Sequence, residues 1–419
     1  MTTAAEFSPR YKWYLVAFLC AVAMLNYADR TAISAVFPLL SAELGMSDVA
    51  LAALGSFFLW SYAAGSPFAG VLADRVSRSR LVVVSLAAWS LVTIWTGLSR
   101  SAGELLATRV LLGLAECVYL PASVALLADH HPVETRATAV GLHTAGLNFG
   151  LIAGGTLAGF LGDRMGWRPS FYVLGVAGIL LAAAGLFFLR DRPQPTTHGK
   201  LGSPAWNTVG GDLGALLRVG TWRLLVGSGM LISIGVWMFF NWLPLYYKET
   251  FHLSLAAAGF SGTFMLQMTA TLGVMLGGWG SDRVARKAPE RRLIFGALCY
   301  FAAAPLLLGF LGRPSYAMVS VFIAGFALLR GLGGTTEPTV TCDLLEPRLR
   351  ATGLALMNTA NCLAGGIGVM VAGFLKSRFG LAGVFAGVSA IMFIAASLVL
   401  AAYLFYFGRG QAGRKEVAA

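Results

Sequence analysis

The sequence predicts an all-α membrane protein with twelve transmembrane helices, arranged as two pseudo-symmetric six-helix bundles with both termini in the cytoplasm. Three observations lead to this prediction: an apolar composition, apolar stretches of helical length along the whole chain, and an internal repeat. Hydrophobic residues make up 57% of the 419 residues, and charged residues only 12%, about half their share in a soluble domain. A bilayer requires about 20 apolar residues per spanning helix, and stretches of that length recur here.

The apolar stretches form two groups of six, separated by a segment rich in proline, glycine, threonine and charge. The predicted domains are therefore residues 1–189, a cytoplasmic linker over 190–221, and residues 222–419. The predicted spans are 13–40, 50–73, 81–99, 103–128, 138–162 and 169–189 in the first half, and 223–247, 255–281, 293–312, 315–341, 351–375 and 381–407 in the second.

The distribution of lysine and arginine predicts the orientation. Most of these residues fall in the termini and in alternate loops, whereas the loops between them hold few. Because cytoplasmic loops carry the excess of positive charge, both termini are predicted to be cytoplasmic, in a multi-pass protein of the plasma (inner) membrane. The same placement accounts for the net charge of +12, so the basic composition does not indicate nucleic acid as a partner. The bilayer is the expected surrounding, and a monomer is the expected state.

Two segments of the first half recur in the second half. The segment G-V-L-A-D-R-V-S-R, from Gly70 to Arg78, reappears after span 8 as G-W-G-S-D-R-V-A-R, from Gly278 to Arg286. The segment A-G-F-L that begins at Ala158 reappears similarly near the end of span 11. Parallel repeats of this kind, with a substrate site near the membrane midplane, are a known transporter design.

The first copy, with its continuation to Arg80, resembles the loop 2–3 signature of the major facilitator superfamily, and the second copy resembles the corresponding loop 8–9 motif. This resemblance implies that family's fold and alternating access, with cytoplasmic latches formed by Asp74 with Arg78 and by Asp282 with Arg286. The charges also have a simpler interpretation, in which they cap helix ends beside anionic headgroups. The gating residues implied by the motifs are Gly70, Asp74, Arg75, Arg78, Asp282, Arg283 and Arg286.

Six charged residues stand out because they lie well inside predicted spans, where each charge costs about 2.5–3.5 kcal/mol even on the lenient insertion scale. Some of them could form buried ion pairs that fix helix packing, for example Asp29 with Arg109. A functional interpretation uses arginine as a fork for a substrate carboxylate and a nearby acid as a site of protonation. Protons are favoured over sodium, because carboxylates beside arginines make poor sodium sites. The six residues are Asp29, Arg30, Arg109, Glu116, Arg330 and Glu337.

The segments N-Y-A-D-R (Asn26 to Arg30) and R-V-L-L-G-L-A-E (Arg109 to Glu116), together with H-P-V-E-T-R-A-T-A-V-G from His131, resemble the anion:cation symporter family. That family includes hexonate and hexuronate transporters and resembles the vesicular glutamate and sialic acid transporters. The resemblance implies a small organic anion as substrate, with Arg30 as its anchor. It also implies protonation of Asp29 and Glu116, with Arg109 as the link between Glu116 and the substrate.

Four polar residues fall where that family places cavity contacts, and each also has an interpretation as an interhelical hydrogen bond. Arg330 and Glu337 depart from the family pattern. Glu337 is a further candidate for proton coupling, whereas the role of Arg330 stays open between a buried ion pair and a different substrate. The four polar residues are Tyr27, Tyr62, Asn148 and Asn361.

Two other transport functions have some support in the sequence, whereas an enzyme has none. N-Y-x-D-R with G-x-x-E-x-x-Y, from Gly113 to Tyr119, is also similar to Spinster-type lysolipid and sphingolipid transporters. A drug/proton antiporter is the second alternative, but its span 5 motif carries a proline where this chain has Leu151. No catalytic or phosphate-binding motif occurs, so neither an enzyme nor a bound cofactor or metal is expected.

Overall fold

The computed structural model describes residues 10–191, 206–286 and 288–417, which contain helices and no strand. A 3-10 helix, Ala304–Gly312, directly follows the twelfth α-helix. The α-helices are α1 (Tyr11–Ala35), α2 (Phe37–Leu44), α3 (Asp48–Arg75), α4 (Arg78–Leu98), α5 (Ala102–Glu116), α6 (Tyr119–His130), α7 (Val133–Met165), α8 (Arg168–Phe188), α9 (Trp206–Arg218), α10 (Gly220–Phe251), α11 (Leu255–Ala285), α12 (Arg291–Ala303), α13 (Tyr316–Gly334), α14 (Thr336–Leu344) and α15 (Pro347–Val417).

Ten segments within the described ranges are long and apolar enough to cross a membrane. The last of them, Leu349–Phe405, has 57 residues, far more than the roughly 20 that one span needs. It bends at Gly380, where φ is 64°, a conformation that glycine adopts without steric cost. The all-helical prediction is confirmed for the described residues, whereas the count of twelve spans and the position of the termini stay predictions.

The backbone repeats the pattern found in the sequence. Gly166 and Gly380 follow the two copies of the A-G-F-L segment, and both have positive φ, at 81° and 64°. Predicted spans 4 and 10 are each divided into two helices, with α5 ending at Glu116 and α13 ending just before Thr335. The two halves of the chain therefore share turns and breaks as well as residues.

The chain forms two compact units. Unit 1 comprises Met1–Thr197 with Phe240–Thr263, and unit 2 comprises His198–Phe239 with Phe264–Ala419. Helices α10 and α11 thus each contribute residues to both units. The predicted domain division stays a prediction, and residues 192–205 of the predicted linker lie outside the described ranges.

Glycines on α7 set the distance between α7 and α1 in unit 1. A Cβ atom on Gly150 would lie 2.2 Å from the carbonyl oxygen of Met24, and a Cβ atom on Gly154 would lie 2.2 Å from that of Ala28. The Thr31 hydroxyl donates to the carbonyl oxygen of Leu151 at 3.0 Å. The glycines of α7 therefore allow the backbone of α1 to approach closely.

Glycines also allow close contacts between helices in unit 2. A Cβ atom on Gly368 of α15 would lie 2.4 Å from the carbonyl oxygen of Ile234 in α10. A Cβ atom on Gly277 of α11 would likewise lie 2.4 Å from the carbonyl oxygen of Leu332. Small residues allow helix backbones to touch, and this packing stabilises helix pairs where lipid gives no hydrophobic driving force.

Candidate functional site

A buried ion pair joins α1 to the end of α5 in unit 1. The Nε and Nη2 atoms of Arg30 each lie 2.9 Å from Oε2 of Glu116. The Glu116 side chain is fully buried, and that of Arg30 is 6% exposed. Arg30 lies on α1, whereas Glu116 is the last residue of α5, just before a new helix begins at Tyr119.

Aromatic rings surround the Arg30 guanidinium on its other sides. Its carbon atom lies 4.2 Å from the ring centre of Tyr27, 5.0 Å from that of Tyr62 and 5.1 Å from that of Phe58. The Nη2 atom also donates to Oδ1 of Asn26 at 3.2 Å. Ring faces attract cations, by up to about 2 kcal/mol when water is excluded. The aromatic rings therefore still stabilise the Arg30 guanidinium when its carboxylate partner changes.

Asp29 and Arg109 are buried in the same unit, and each contacts a threonine of α4. The Thr93 hydroxyl donates to Oδ2 of Asp29 at 3.1 Å, and Nη2 of Arg109 donates to the Thr96 hydroxyl at 3.0 Å. No ion pair within 4.0 Å joins Asp29 to Arg109, so the suggested ion pair is wrong. Oδ1 of Asp29 and Nε of Arg109 have no hydrogen-bond partner among the described residues.

The remaining predicted site residues lie on other helices. Asn148 lies on α7, the helix that packs along α1, and it is partly buried. Asn361, Arg330 and Glu337 line one cavity in unit 2. Glu337 accepts a hydrogen bond from the Ser228 hydroxyl at 3.0 Å. It forms no ion pair with Arg330 within 4.0 Å, so the ion-pair interpretation of these two residues is also wrong.

The first repeated motif forms an ion pair with a residue outside the motif. Arg78 forms an ion pair with Asp129 at the end of α6. The motif residue Gly70 lies in α3, but the side chains of Asp74 and Arg75 are outside the described part of the structure. The Asp74–Arg78 latch therefore stays a prediction, with Asp129 as a contact that the sequence did not suggest.

The second motif also forms its ion pair with a residue outside the motif. Asp282 pairs with Arg292 at 2.8 Å, and Arg292 also pairs with Asp343 at 2.5 Å. Arg286 is exposed and forms no ion pair within 4.0 Å with any described residue, so the predicted Asp282–Arg286 pair is wrong. Arg292 thus joins the two carboxylates, with Nη2 contacting Asp282 and Nη1 contacting Asp343. Arg283 instead lies with its guanidinium carbon 5.5 Å from the ring centre of Trp279.

Sequence reasoning missed Thr93, Thr96 and Ser228, which hold buried charges by hydrogen bonds. Hydroxyl residues are common in membrane helices and usually bond to their own backbone, so a single sequence carries no signal that separates these three. Asp129 and Asp343 could have been found, because each lies seven residues before a further repeated segment, R-A-T, which begins at Arg136 and at Arg350.

A family model and two related transporters match this chain over most of its length. The sequence model described as Major Facilitator Superfamily matches residues 19–369. The probable galactarate/D-glucarate transporter GudP of Bacillus subtilis (strain 168) is 28% identical, covering 93% of this chain and 91% of that protein. The probable sulfoacetate transporter SauU of Cupriavidus necator is 25% identical, covering 87% of each.

A solved structure shares the fold. The inward-facing, occupied structure of a bacterial homolog to the human lysosomal transporter Spinster has a TM-score of 0.75 and 22% identity. The likeness covers 97% of this chain and 98% of that one. The chain therefore belongs to the Major Facilitator Superfamily, resembles the anion:cation symporters within it, and is a multi-pass protein of the inner membrane.

Proposed function

We propose that this protein is a secondary active transporter that carries a small organic anion together with a proton by alternating access. The observation that supports this most directly is the buried ion pair between Arg30 and Glu116. The relatives named as transporters of anionic compounds support the same substrate class. Twelve spans with cytoplasmic termini complete the proposal.

The ion pair provides a physical reason for coupling. While Glu116 is ionised it occupies the Arg30 fork, and a substrate carboxylate must compete with it. A proton on Glu116 removes that negative charge and frees the guanidinium, which the aromatic rings continue to hold. Proton and anion therefore favour each other's binding, which is the requirement for symport.

The second buried pair of charges has a supporting role in this mechanism. Asp29 and Arg109 each retain one atom without a hydrogen-bond partner among the described residues. Because two carboxylates and two guanidiniums share this region, a change in the charge of Glu116 alters the electrostatic field at Asp29. Asp29 is accordingly the second candidate for protonation in the proposal.

The test is transport in proteoliposomes with labelled organic acids and an imposed pH gradient. Glu116→Gln is nearly isosteric with the protonated acid, so the variant should still bind substrate and exchange labelled for unlabelled molecules. It should fail to accumulate substrate on the gradient. Glu104→Gln, which removes an acid at the start of the same helix, is the matched control and should accumulate substrate as the parent does.

Gradient-driven accumulation by Glu116→Gln at the parental level would contradict the coupling role. Transport of a lysolipid without any organic anion would instead favour the Spinster-type alternative. The structural likeness to the Spinster homolog, at 22% identity, concerns the fold and does not by itself favour that substrate.

A further inference from the structure

Unit 2 contains a polar cavity that the proposed coupling mechanism does not use. Its volume is about 220 Å³, well above the roughly 10–15 Å³ that one water molecule requires. It is also smaller than the pockets that enclose whole drug-sized ligands. Its polar lining residues are Ser233, Tyr300, Arg330, Glu337 and Asn361.

Arg330 brings a permanent positive charge to this cavity without a carboxylate partner. No acidic side chain among the described residues lies within 4.0 Å of it, and its buried Nε atom has no hydrogen-bond partner there. Glu337 lines the same cavity but accepts from the Ser228 hydroxyl. The helix break at Thr335 lies between the two charges.

The internal repeat makes this arrangement informative. Arg109 and Glu116 of unit 1 correspond to Arg330 and Glu337 of unit 2, because in both the acid follows the arginine by seven residues in the sequence. In unit 1 the acid has a cationic partner, Arg30 of α1. In unit 2 the wall contributed by α10 carries glycine, isoleucine, serine and valine at the cavity, and no charge. Among the described residues that line this cavity, Arg330 and Glu337 are therefore the charged ones, and no second charged pair joins them.

A second polar group in the cavity lacks a partner. Oδ1 of Asn361 is buried and accepts no hydrogen bond from the described residues. The backbone carbonyl of Asn361 is already used, since the Ser233 hydroxyl donates to it at 2.6 Å. An amide can turn either its oxygen or its nitrogen toward a ligand, so Asn361 can donate a hydrogen bond to an oxyanion.

We propose that this cavity is an anion subsite in which Arg330 binds a carboxylate or sulfonate group and Asn361 donates to the same group. The subsite rests on the proposed function, because the expected ligand is of the chemical class that the transporter carries. Glu337 opposes the ligand electrostatically when it is ionised, so the subsite binds more strongly when that charge is absent.

The first test measures thermal stabilisation by methanesulfonate, a small anion that stays ionised across the working pH range. The parent for this test is Arg30→Gln, which removes the unit 1 anchor. Methanesulfonate should stabilise this variant, since a ligand of the folded form raises its stability by mass action. Adding Arg330→Gln should weaken the apparent affinity by about tenfold or more, the loss expected for a charged hydrogen bond. Adding Glu337→Gln instead should strengthen it.

Equal stabilisation with and without Arg330, or no stabilisation of Arg30→Gln at all, would overturn the proposal. If Arg330→Gln cannot be purified, Arg330→Lys replaces it and should also weaken the affinity, because lysine keeps the charge but loses the fork.

A second measurement does not depend on ligand affinity. Val236→Cys places a thiol in the cavity wall, in a background whose natural cysteines have been replaced. A negatively charged sulfonate reagent should label this thiol faster than a positively charged analogue, and Arg330→Gln should abolish that preference. No preference in the chain that retains Arg330 would overturn the proposal.

The subsite and the proposed function can fail separately. Binding of methanesulfonate that depends on Arg330, in a protein that transports no organic anion, would leave the subsite in place and remove the proposed function. Comparing succinate with its monoamide identifies the source of the bound group. If Arg330→Gln weakens the binding of succinate more than that of the monoamide, the cavity binds a second anionic group of the transported molecule. If it weakens both equally, the cavity binds a separate small anion. Both results support the subsite.

Discussion

The contact between α1 and α7 gives a prediction that can be worked out in detail. In Gly150→Ala, the new methyl group would lie 2.2 Å from the carbonyl oxygen of Met24 and 2.9 Å from its Cα atom. The obstructing atoms belong to the backbone, so no rotamer change can remove the clash. The two helices must separate locally by about 1 Å to reach ordinary van der Waals distances.

The size of the effect follows from that separation. A gap of 0.5–1 Å forfeits about a quarter to a half of each dispersion contact, and overpacking of this kind typically costs about 1–3 kcal/mol. Alanine is the better helix former by about 1 kcal/mol, which offsets part of the cost. Because Arg30 lies on α1, the displacement also moves Arg30 relative to Glu116.

The assay is the free energy of unfolding in mixed micelles, with Gly141→Ala as the matched control. Gly141 lies on the same helix, but a Cβ atom there would meet nothing within 4 Å. The control should be as stable as the parent or slightly more stable, and Gly150→Ala should be less stable than the control by about 1–3 kcal/mol. If both variants are equally stable, glycine does not set this helix spacing and the reasoning is refuted.

Three further predictions concern charged groups. Arg30→Lys should weaken substrate binding while expression stays near normal, because lysine keeps the charge but not the fork; unchanged affinity in a binding titration would remove Arg30 as the anchor. Arg292→Ala should alter cysteine accessibility from the two membrane faces more than Arg286→Ala, since only Arg292 joins Asp282 to Asp343; equal labelling patterns would contradict a latch. The hydrogen bond from Arg168 lowers the pKa of Glu43 below its ordinary value of 4.5, so the stability it adds is present above that value and is lost as pH falls through the lowered pKa. Glu43→Gln should therefore flatten the acid side of a stability–pH curve, by no more than about 1 kcal/mol because the pair is exposed, and an unchanged curve would count against this contact.

The fold was largely predictable from the sequence because a bilayer imposes one dominant constraint. Long apolar stretches must be helical there, since an unpaired backbone group has no water to bond. Part of the repeat is explained by backbone geometry, because glycine is hard to replace at a positive φ such as those of Gly166 and Gly380. These requirements act on single residues, so they remain legible in one sequence.

The pairing of charges was harder to predict. The sequence brought Arg30, Glu116, Asp29 and Arg109 to attention, but it did not indicate that Arg30 would pair with Glu116. Pair choice depends on the relative rotation and depth of different helices, and differences of an ångström decide which atoms meet. The same limit explains why Arg292 was missed as the partner of Asp282.

One contact in unit 1 joins the end of α7 to the beginning of α11. The Asp163 carboxylate, at the end of α7, accepts hydrogen bonds from the backbone nitrogens of Leu255 and Ala256 at 2.9 and 3.0 Å. It therefore caps the first turn of α11, a different helix from its own. A helix cap contributes about 1 kcal/mol, and the positive end of the helix dipole adds a few tenths more. In the proposed alternating access, a contact of that size changes the ratio of the two states by about tenfold if it forms in only one of them. Such a contact favours one state, and thermal motion still releases it in each proposed cycle.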